Sequence, residues 1–339
     1  MRRVPTGATR NGSKQLLGEY DQFGHDAIVL QVTSAESGTT VVVVTWRGAG
    51  HVTACLDALA AQTRPHRTLV VDNASDDGTG ALLAAHPSRP QVLRLRRNTG
   101  YAGAMARALE QVGTPRIAWL NDDAEPEPGW LAELEDALDS QPLAAAVTSR
   151  LELADGGTQS TGVRLTADGH GADLTEPSDE VFGFCGGAAL LRTDAVRAVG
   201  GVPAGFFCYY EDTDTAWRLR LAGWHVVSAE ARVRHLHGAS TRPGSPLFHR
   251  WNERNRLLML LRCAPSAVAV RELVKFAALT VLLPLRRHRP AAANFAPALR
   301  WRVLGELVVR LPGTLRERRR VSRIAALGRG AIWEAWAGL

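Results

Sequence analysis

Two apolar runs in this 339-residue chain end in carboxylates, and they leave little choice of architecture. Leu69-Val70-Val71-Asp72 delivers an acid into the turn Asn73-Ala74-Ser75-Asp76-Asp77-Gly78, and further on Ile117-Ala118-Trp119-Leu120 runs into Asn121-Asp122-Asp123. Both runs belong to a regular alternation: short continuous apolar segments at Val41–Val44, Thr68–Val71, Val92–Leu95 and Arg116–Leu120, separated by helical patterns at Val52–Ala61, Thr79–Ala85 and Tyr101–Val112. Continuous apolar runs of four or five suit strands buried on both faces. Right-handed crossovers then fold a βαβαβαβ succession into an α/β, doubly wound, mostly parallel sheet flanked by helices. Open sheets of this kind bind ligands at the carboxyl ends of their strands, which is the edge that receives both acids.

The rest of the chain divides by pattern. Residues 1–37 are rich in Gly, Ser, Thr and Arg with weak periodicity and read as a loose arm, with one extra strand expected at Ala27–Val32. Residues 38–265 are expected to form one α/β domain. After a helix at Trp130–Leu138, strands are expected at Ala144–Glu152, Gly162–Leu165, Gly183–Leu191 and Val226–Val233, and helices at Thr193–Val199 and Glu211–Ala222. Residues 266–339 form a basic extension with amphipathic helices at Ala267–Leu285 and Trp301–Leu311. Such helices fit a bilayer surface, the α/β domain or a second subunit.

The net charge of +6 is concentrated in this extension, where Arg286 to Arg323 include eleven Arg against Glu306 and Glu317 alone. The four cysteines, Cys55, Cys185, Cys208 and Cys263, have no CxxC spacing, and no leader pattern opens the sequence, so a reducing cytoplasm is expected. The longest apolar stretch, Phe276 to Leu285, is about half of what a membrane-spanning helix needs.

Four clusters carry chemistry. Asp72 with Asn73 can accept hydrogen bonds from a nucleobase or ribose, or can cap the next helix. Asp122 and Asp123 supply the hard oxygens that a divalent cation takes together with substrate phosphates, although Asn-Asp-Asp is also an ordinary turn. Glu211 and Asp212 open a helix, where the dipole favours acids; the adjacent Phe206-Phe207-Cys208-Tyr209-Tyr210 would also raise a carboxyl pKa toward that of a general base. His235 and His237 share one face of an extended segment and suit a metal or phosphate. Arg250, Arg254 and Arg256 with Asn252 and Asn255 form a polar helix start that could hold phosphate.

Taken in order, Val44-Thr45-Trp46-Arg47, Val70 to Thr79, Asn98-Thr99-Gly100-Tyr101-Ala102-Gly103, Asn121-Asp122-Asp123-Ala124, Phe206 to Arg220 and His235 to Ser240 resemble the family 2 glycosyltransferases of GT-A fold, above all their bacterial rhamnosyltransferase-like members. The resemblance runs from Val41 to about Pro265. It implies that Thr45, Trp46, Asp72, Asn73 and Asp122 bind the nucleotide, that Asp123 and His235 hold Mg2+ or Mn2+, and that Asp212, beside Glu211, is the base. The implied donor is a dTDP-, UDP- or GDP-sugar and the implied acceptor a glycan or polyprenyl-linked hydroxyl of the cell envelope. The chain departs from the family in having Ala104 after Gly103 and Gly205 before Phe206. A sugar-nucleotide nucleotidyltransferase would use similar acids, but its basic Gly-rich phosphate loop is missing. A nucleic-acid-binding module explains the Arg-rich tail and leaves Asp72, Asp123 and Asp212 without a purpose, so no nucleic acid is expected as partner.

Overall fold

The computed structural model describes residues 37–178, 180–236, 244–285 and 290–338. The loose arm, its expected strand at Ala27–Val32 and His237 lie outside the described residues. The chain runs through β1 (Thr39–Thr45), α1 (Val52–Ala60), β2 (Arg67–Asp72), α2 (Thr79–Ala85), β3 (Gln91–Arg94), α3 (Gly100–Gln111), β4 (Arg116–Asn121), β5 (Ala124–Pro126) and α4 (Trp130–Ser140). It continues through β6 (Ala144–Glu152), β7 (Thr158–Ser160), β8 (Gly162–Leu165), β9 (Gly171–Leu174), β10 (Ala188–Arg192), α5 (Thr193–Ala198), α6 (Glu211–Leu221) and β11 (His225–His235). Four helices close it: α7 (Pro246–Cys263), α8 (Ser266–Leu282), α9 (Pro297–Ile324) and α10 (Arg329–Trp336).

The main sheet has the order β3-β2-β1-β4-β10-β6-β11-β5, with β7 paired to β6. Strands β3, β2, β1 and β4 are parallel; β10 is antiparallel to both β4 and β6, so β6 and β11 again point with β4. Alternate residues leave opposite faces of the sheet. Val42, Val44, Leu69, Val71, Ile117 and Trp119 pack beneath α3, α6 and α7, while Val41, Val43, Val70, Ala118 and Leu120 pack beneath α1 and α4. Burial on both faces explains why these strands read as unbroken apolar runs.

Register fixes the functional edge. Thr45 lies opposite Asp72, and Val44 opposite Asn121, so two acid-bearing strand ends flank the end of β1. The expected strand from Gly183 is shorter than the sequence suggests, because only Ala188–Arg192 joins the ladder. A Cβ on Gly187 would stand 2.7 Å from the Leu151 side chain, so Gly183–Gly187 approaches the sheet as a close-fitting loop.

The extension is larger than its sequence pattern. Helix α9 has 28 residues and continues through Pro312, where a sequence reading stops. Pro312 falls on the solvent face, where water can take the carbonyl that its ring leaves unbonded. On the other face Val303, Leu307 and Val321 join the same core as α6 and α7. Arg300 lies over the Phe276 ring of α8 at 3.9 Å and donates to Thr280 Oγ1 at 3.0 Å. Among the described residues no helix is long and apolar enough to cross a membrane.

Candidate active site

Of the residues expected to bind a nucleotide, Thr45, Trp46, Asp72 and Asn73 gather at the carboxyl ends of β1 and β2. Asp72 is fully buried: Oδ1 accepts from the Ser75 N–H at 2.8 Å and Oδ2 from the Arg94 guanidinium, which also reaches Ser75 O at 2.8 Å. Arg94 ends β3 level with Asp72 in the parallel register, so the basic partner arrives from the next strand. Asn73 donates to Asn98 Oδ1 and to Gly100 O, both at 3.1 Å, and accepts from Thr99 N at 2.8 Å, tying the β2 turn to the start of α3. Thr45 is buried and its Oγ1 has no hydrogen-bond partner among the described residues. Trp46 is partly exposed, with the Arg47 guanidinium 5.0 Å from its ring.

The acid cluster after β4 splits between two histidines. Asp122 Oδ2 lies 3.1 Å from His51 Nε2, and the Asp122 carboxylate is the main reason the His51 pKa is raised. Asp123 Oδ1 lies 3.1 Å from His235 Nε2. Burial alone would raise the Asp123 carboxyl, yet the His235 hydrogen bond and the fields of His235 and His51 hold it below its usual value. Nδ1 of His235 faces Gln159 Oε1 at 2.7 Å, and Nε2 also lies 3.1 Å from Asn121 Nδ2. With Nε2 unprotonated, His235 and the Asp123 carboxylate would offer two donors to one cation. Two neighbouring ligands of an octahedral ion with bonds of about 2.1 Å stand about 3.0 Å apart, so the pair fits Mg2+ or Mn2+. Among the described residues no three His, Cys, Asp or Glu side chains converge into a metal site of protein donors alone. That suits a cation completed by substrate phosphate.

The third acid group comes from α6. Asp212 Oδ2 accepts from the Gly186 N–H at 2.9 Å, and Oδ1 from Thr213 N at 2.6 Å and Thr213 Oγ1 at 3.0 Å. Burial raises its pKa, and these hydrogen bonds oppose but do not cancel the rise. Glu211 is buried, its Oε2 without a hydrogen-bond partner among the described residues, and burial together with the Asp212 charge pushes it well above the normal carboxyl range. One residue after Gly186, Gly187 O accepts the Asn121 N–H at 2.9 Å. Two adjacent peptides therefore connect Asp212 to the strand end that carries Asp122 and Asp123. Asp72, Asp123 and Asp212, far apart in sequence, stand along one edge of the sheet.

The segment entering α6 is strained: Phe207, Tyr209 and Tyr210 all have positive φ, at 68°, 72° and 68°. Asn255 of α7 secures it, its amide nitrogen donating to the carbonyls of Phe206, Cys208 and Tyr209 at 3.0, 2.8 and 2.8 Å. Arg254 adds a bond to Phe206 O at 2.5 Å and is paired with Glu306 of α9 at 3.0 Å; Arg250 meets the same glutamate. Arg256 is committed to Asp168 O, Glu253 and Glu272. The polar start of α7 is thus occupied with internal carbonyls and carboxylates rather than held open for phosphate. Sequence reasoning also missed His51, Arg94 and Gln159. Only Arg94 had a signal, as the basic end of a strand parallel to an acid-ended one.

Residues 40–200 match the model of glycosyl transferase family 2. N-acetylglucosaminyl-diphospho-decaprenol L-rhamnosyltransferase of Mycobacterium tuberculosis is 28% identical over a region covering 61% of this chain and 79% of that protein. The structure of GalNAc-T7 with UDP, GalNAc and Mn2+ superimposes with a TM-score of 0.57 at 11% identity, covering 81% of this chain and 57% of that one. The mannosyltransferase PcManGT from Pyrobaculum calidifontis in complex with GDP-Man and Mn2+ gives a TM-score of 0.51 at 16% identity, over 88% and 87% of the two chains. At these identities what the solved structures share with this chain is the fold.

Proposed function

We propose that this chain, a glycosyltransferase whose residues 40–200 match the model of glycosyl transferase family 2, moves a sugar, with rhamnose as first candidate, from a nucleoside diphosphate to a hydroxyl of a lipid-linked cell-envelope glycan, with inversion. Thr45, Trp46, Asp72, Asn73 and Asp122 line the nucleotide end. Asp123 and His235 hold the divalent cation, which when bound offsets the diphosphate charge and eases its departure. Asp212 takes the proton of the acceptor hydroxyl as its oxygen attacks the anomeric carbon from the opposite side. Glu211, held toward its neutral form beside it, keeps a second negative charge away from the attacking oxygen. The rhamnosyltransferase relative supports the choice of sugar and of a polyprenyl-linked acceptor. The solved relatives with Mn2+ and UDP or GDP-Man support the cation and the class of donor. Use of a nucleotide sugar fits work in the cytoplasm.

The observation that carries this reading is the Gly186-Gly187 connection, which sets a half-buried carboxylate with a raised pKa beside the acid cluster that would hold the leaving group. Titrating nucleoside diphosphate sugars with Mg2+ or Mn2+ and following thermal unfolding tests the donor site: a true donor stabilises the protein only with the cation. Asp123→Ala should lose that stabilisation. Asp212→Asn should keep it while transfer falls by about 10²- to 10⁴-fold, the usual share of a general base. Full transfer by Asp212→Asn would remove the proposed base.

A further inference from the structure

We propose that the outer faces of α8 and α9 form a docking surface for an anionic lipid bilayer. Helix α9 buries Arg300, Val303, Leu307, Thr314 and Val321 against the protein. Its opposite side carries Trp301, Val308, Leu311 and Leu315, all exposed, at the three- and four-residue spacing of one helical stripe, with Val309 beside them at 81% exposure. Helix α8 repeats the arrangement: Val268, Ala269, Glu272, Phe276 and Thr280 are buried, and Val270, Val274 and Val281 are exposed in a stripe that Leu285 extends at 78% exposure. Isolated exposed apolar residues are ordinary, but two packed helices that each turn a continuous apolar stripe outward mark an interaction surface.

Charge identifies the partner. The α9 stripe passes without a break into Arg316, Arg319, Arg320 and Arg323, all exposed and without an ion pair among the described residues. A second copy of this chain fits poorly. Side-by-side parallel stripes would set arginine against arginine, and antiparallel stripes would set arginine against Val308 and Trp301. A nucleic acid would satisfy the arginines and leave the apolar stripe in water. A bilayer with anionic headgroups accepts both, the apolar side chains at the acyl boundary and the guanidinium groups among phosphates. With 28 residues α9 is about 42 Å long, enough to lie along the surface without crossing it. The biological use of this surface rests on the proposed function, since a lipid-linked acceptor is found where the helices dock. The surface itself rests on exposure and charge.

The test is flotation of the full chain with vesicles of phosphatidylcholine, alone or mixed with phosphatidylglycerol. The protein should float with the mixed vesicles and remain behind with phosphatidylcholine alone, and binding should weaken as salt rises. Each arginine near an anionic surface is worth about fivefold in partition, so Arg319→Glu/Arg323→Glu should reduce it more than tenfold. Val308→Asp/Leu315→Asp should do the same, with donor-induced thermal stabilisation unchanged in both variants. Wild-type protein that stays in the aqueous fraction overturns the proposal, as do variants that float like wild type. A concentration-dependent dimer in sedimentation that Val308→Asp/Leu315→Asp abolishes would assign the face to a second copy instead. Failure to bind or turn over any nucleotide sugar would strike the proposed function and leave the flotation result standing.

Discussion

Asp212 carries the most specific expectation about pH. Burial holds its carboxyl above the ordinary aspartate value of about 3.9, and a base must be ionised to act. Transfer should therefore fall as pH drops through that raised value, so the acid limb of kcat/KM should lie higher than for an exposed aspartate and should disappear with Asp212→Asn. The neighbouring Glu211 makes a prediction about stability. Its folded pKa is raised well above the unfolded one, so its contribution is fully present below the unfolded pKa and is lost as pH rises through the folded value. Glu211→Gln should accordingly raise the melting temperature at neutral and alkaline pH and have little effect near pH 4, which a set of melting curves would reveal. Arg94 shows how far a single residue could be read beforehand. Its place level with Asp72 was implied by parallel pairing, but its role as partner to a wholly buried carboxylate needs three dimensions, because about twenty residues of helix and turn intervene.

At the scale of elements, the loop from Phe206 to Tyr210 depends on α7. Three non-glycine residues with positive φ store about 1–3 kcal/mol each, and the Asn255 amide fastens the loop through the carbonyls of Phe206, Cys208 and Tyr209. Asn255→Ala should lower kcat at least tenfold through misplacement of Asp212, with a smaller change in KM for the donor and a lower melting temperature. Steady-state kinetics with a melting curve would show whether the two effects separate. The edge strand β3 is mostly exposed, whereas strands β1, β2 and β4 were legible because both of their faces are largely buried, so apolar runs mark them directly. The short strands β5, β7 and β9 were not, since each has three or four residues and is defined by its neighbour rather than by its own pattern. Helix α9 outran its sequence signal because Pro312 resembles a terminator and its arginines dilute the periodicity. In the site the acids were visible as strand ends, whereas His51 and Gln159 lie in segments with no local mark of function.

In the molecule as a whole, the C-terminal helices pack on the same core as α6, which carries the proposed base. Trp333 stacks on Trp217 at 6.0 Å, and Trp336 lies against Phe182 at 6.1 Å with the Arg220 guanidinium 4.2 Å from its ring. Trp336→Ala should cost about 2 kcal/mol, less than a fully buried tryptophan because Trp336 is half-buried, and lower the melting temperature by a few degrees. A calorimetric scan that still shows a single transition would confirm that these helices unfold with the sheet. The pair Gly186 and Gly187 has a wider consequence. With the proposed base hung from one peptide and the acid-bearing strand from the next, the span between incoming alcohol and outgoing phosphate is ruled off in bare main chain. Lineages that exchange one sugar for another can then remodel the walls around the donor while this yardstick, having no side chains to trade, keeps the reacting ends at a constant reach.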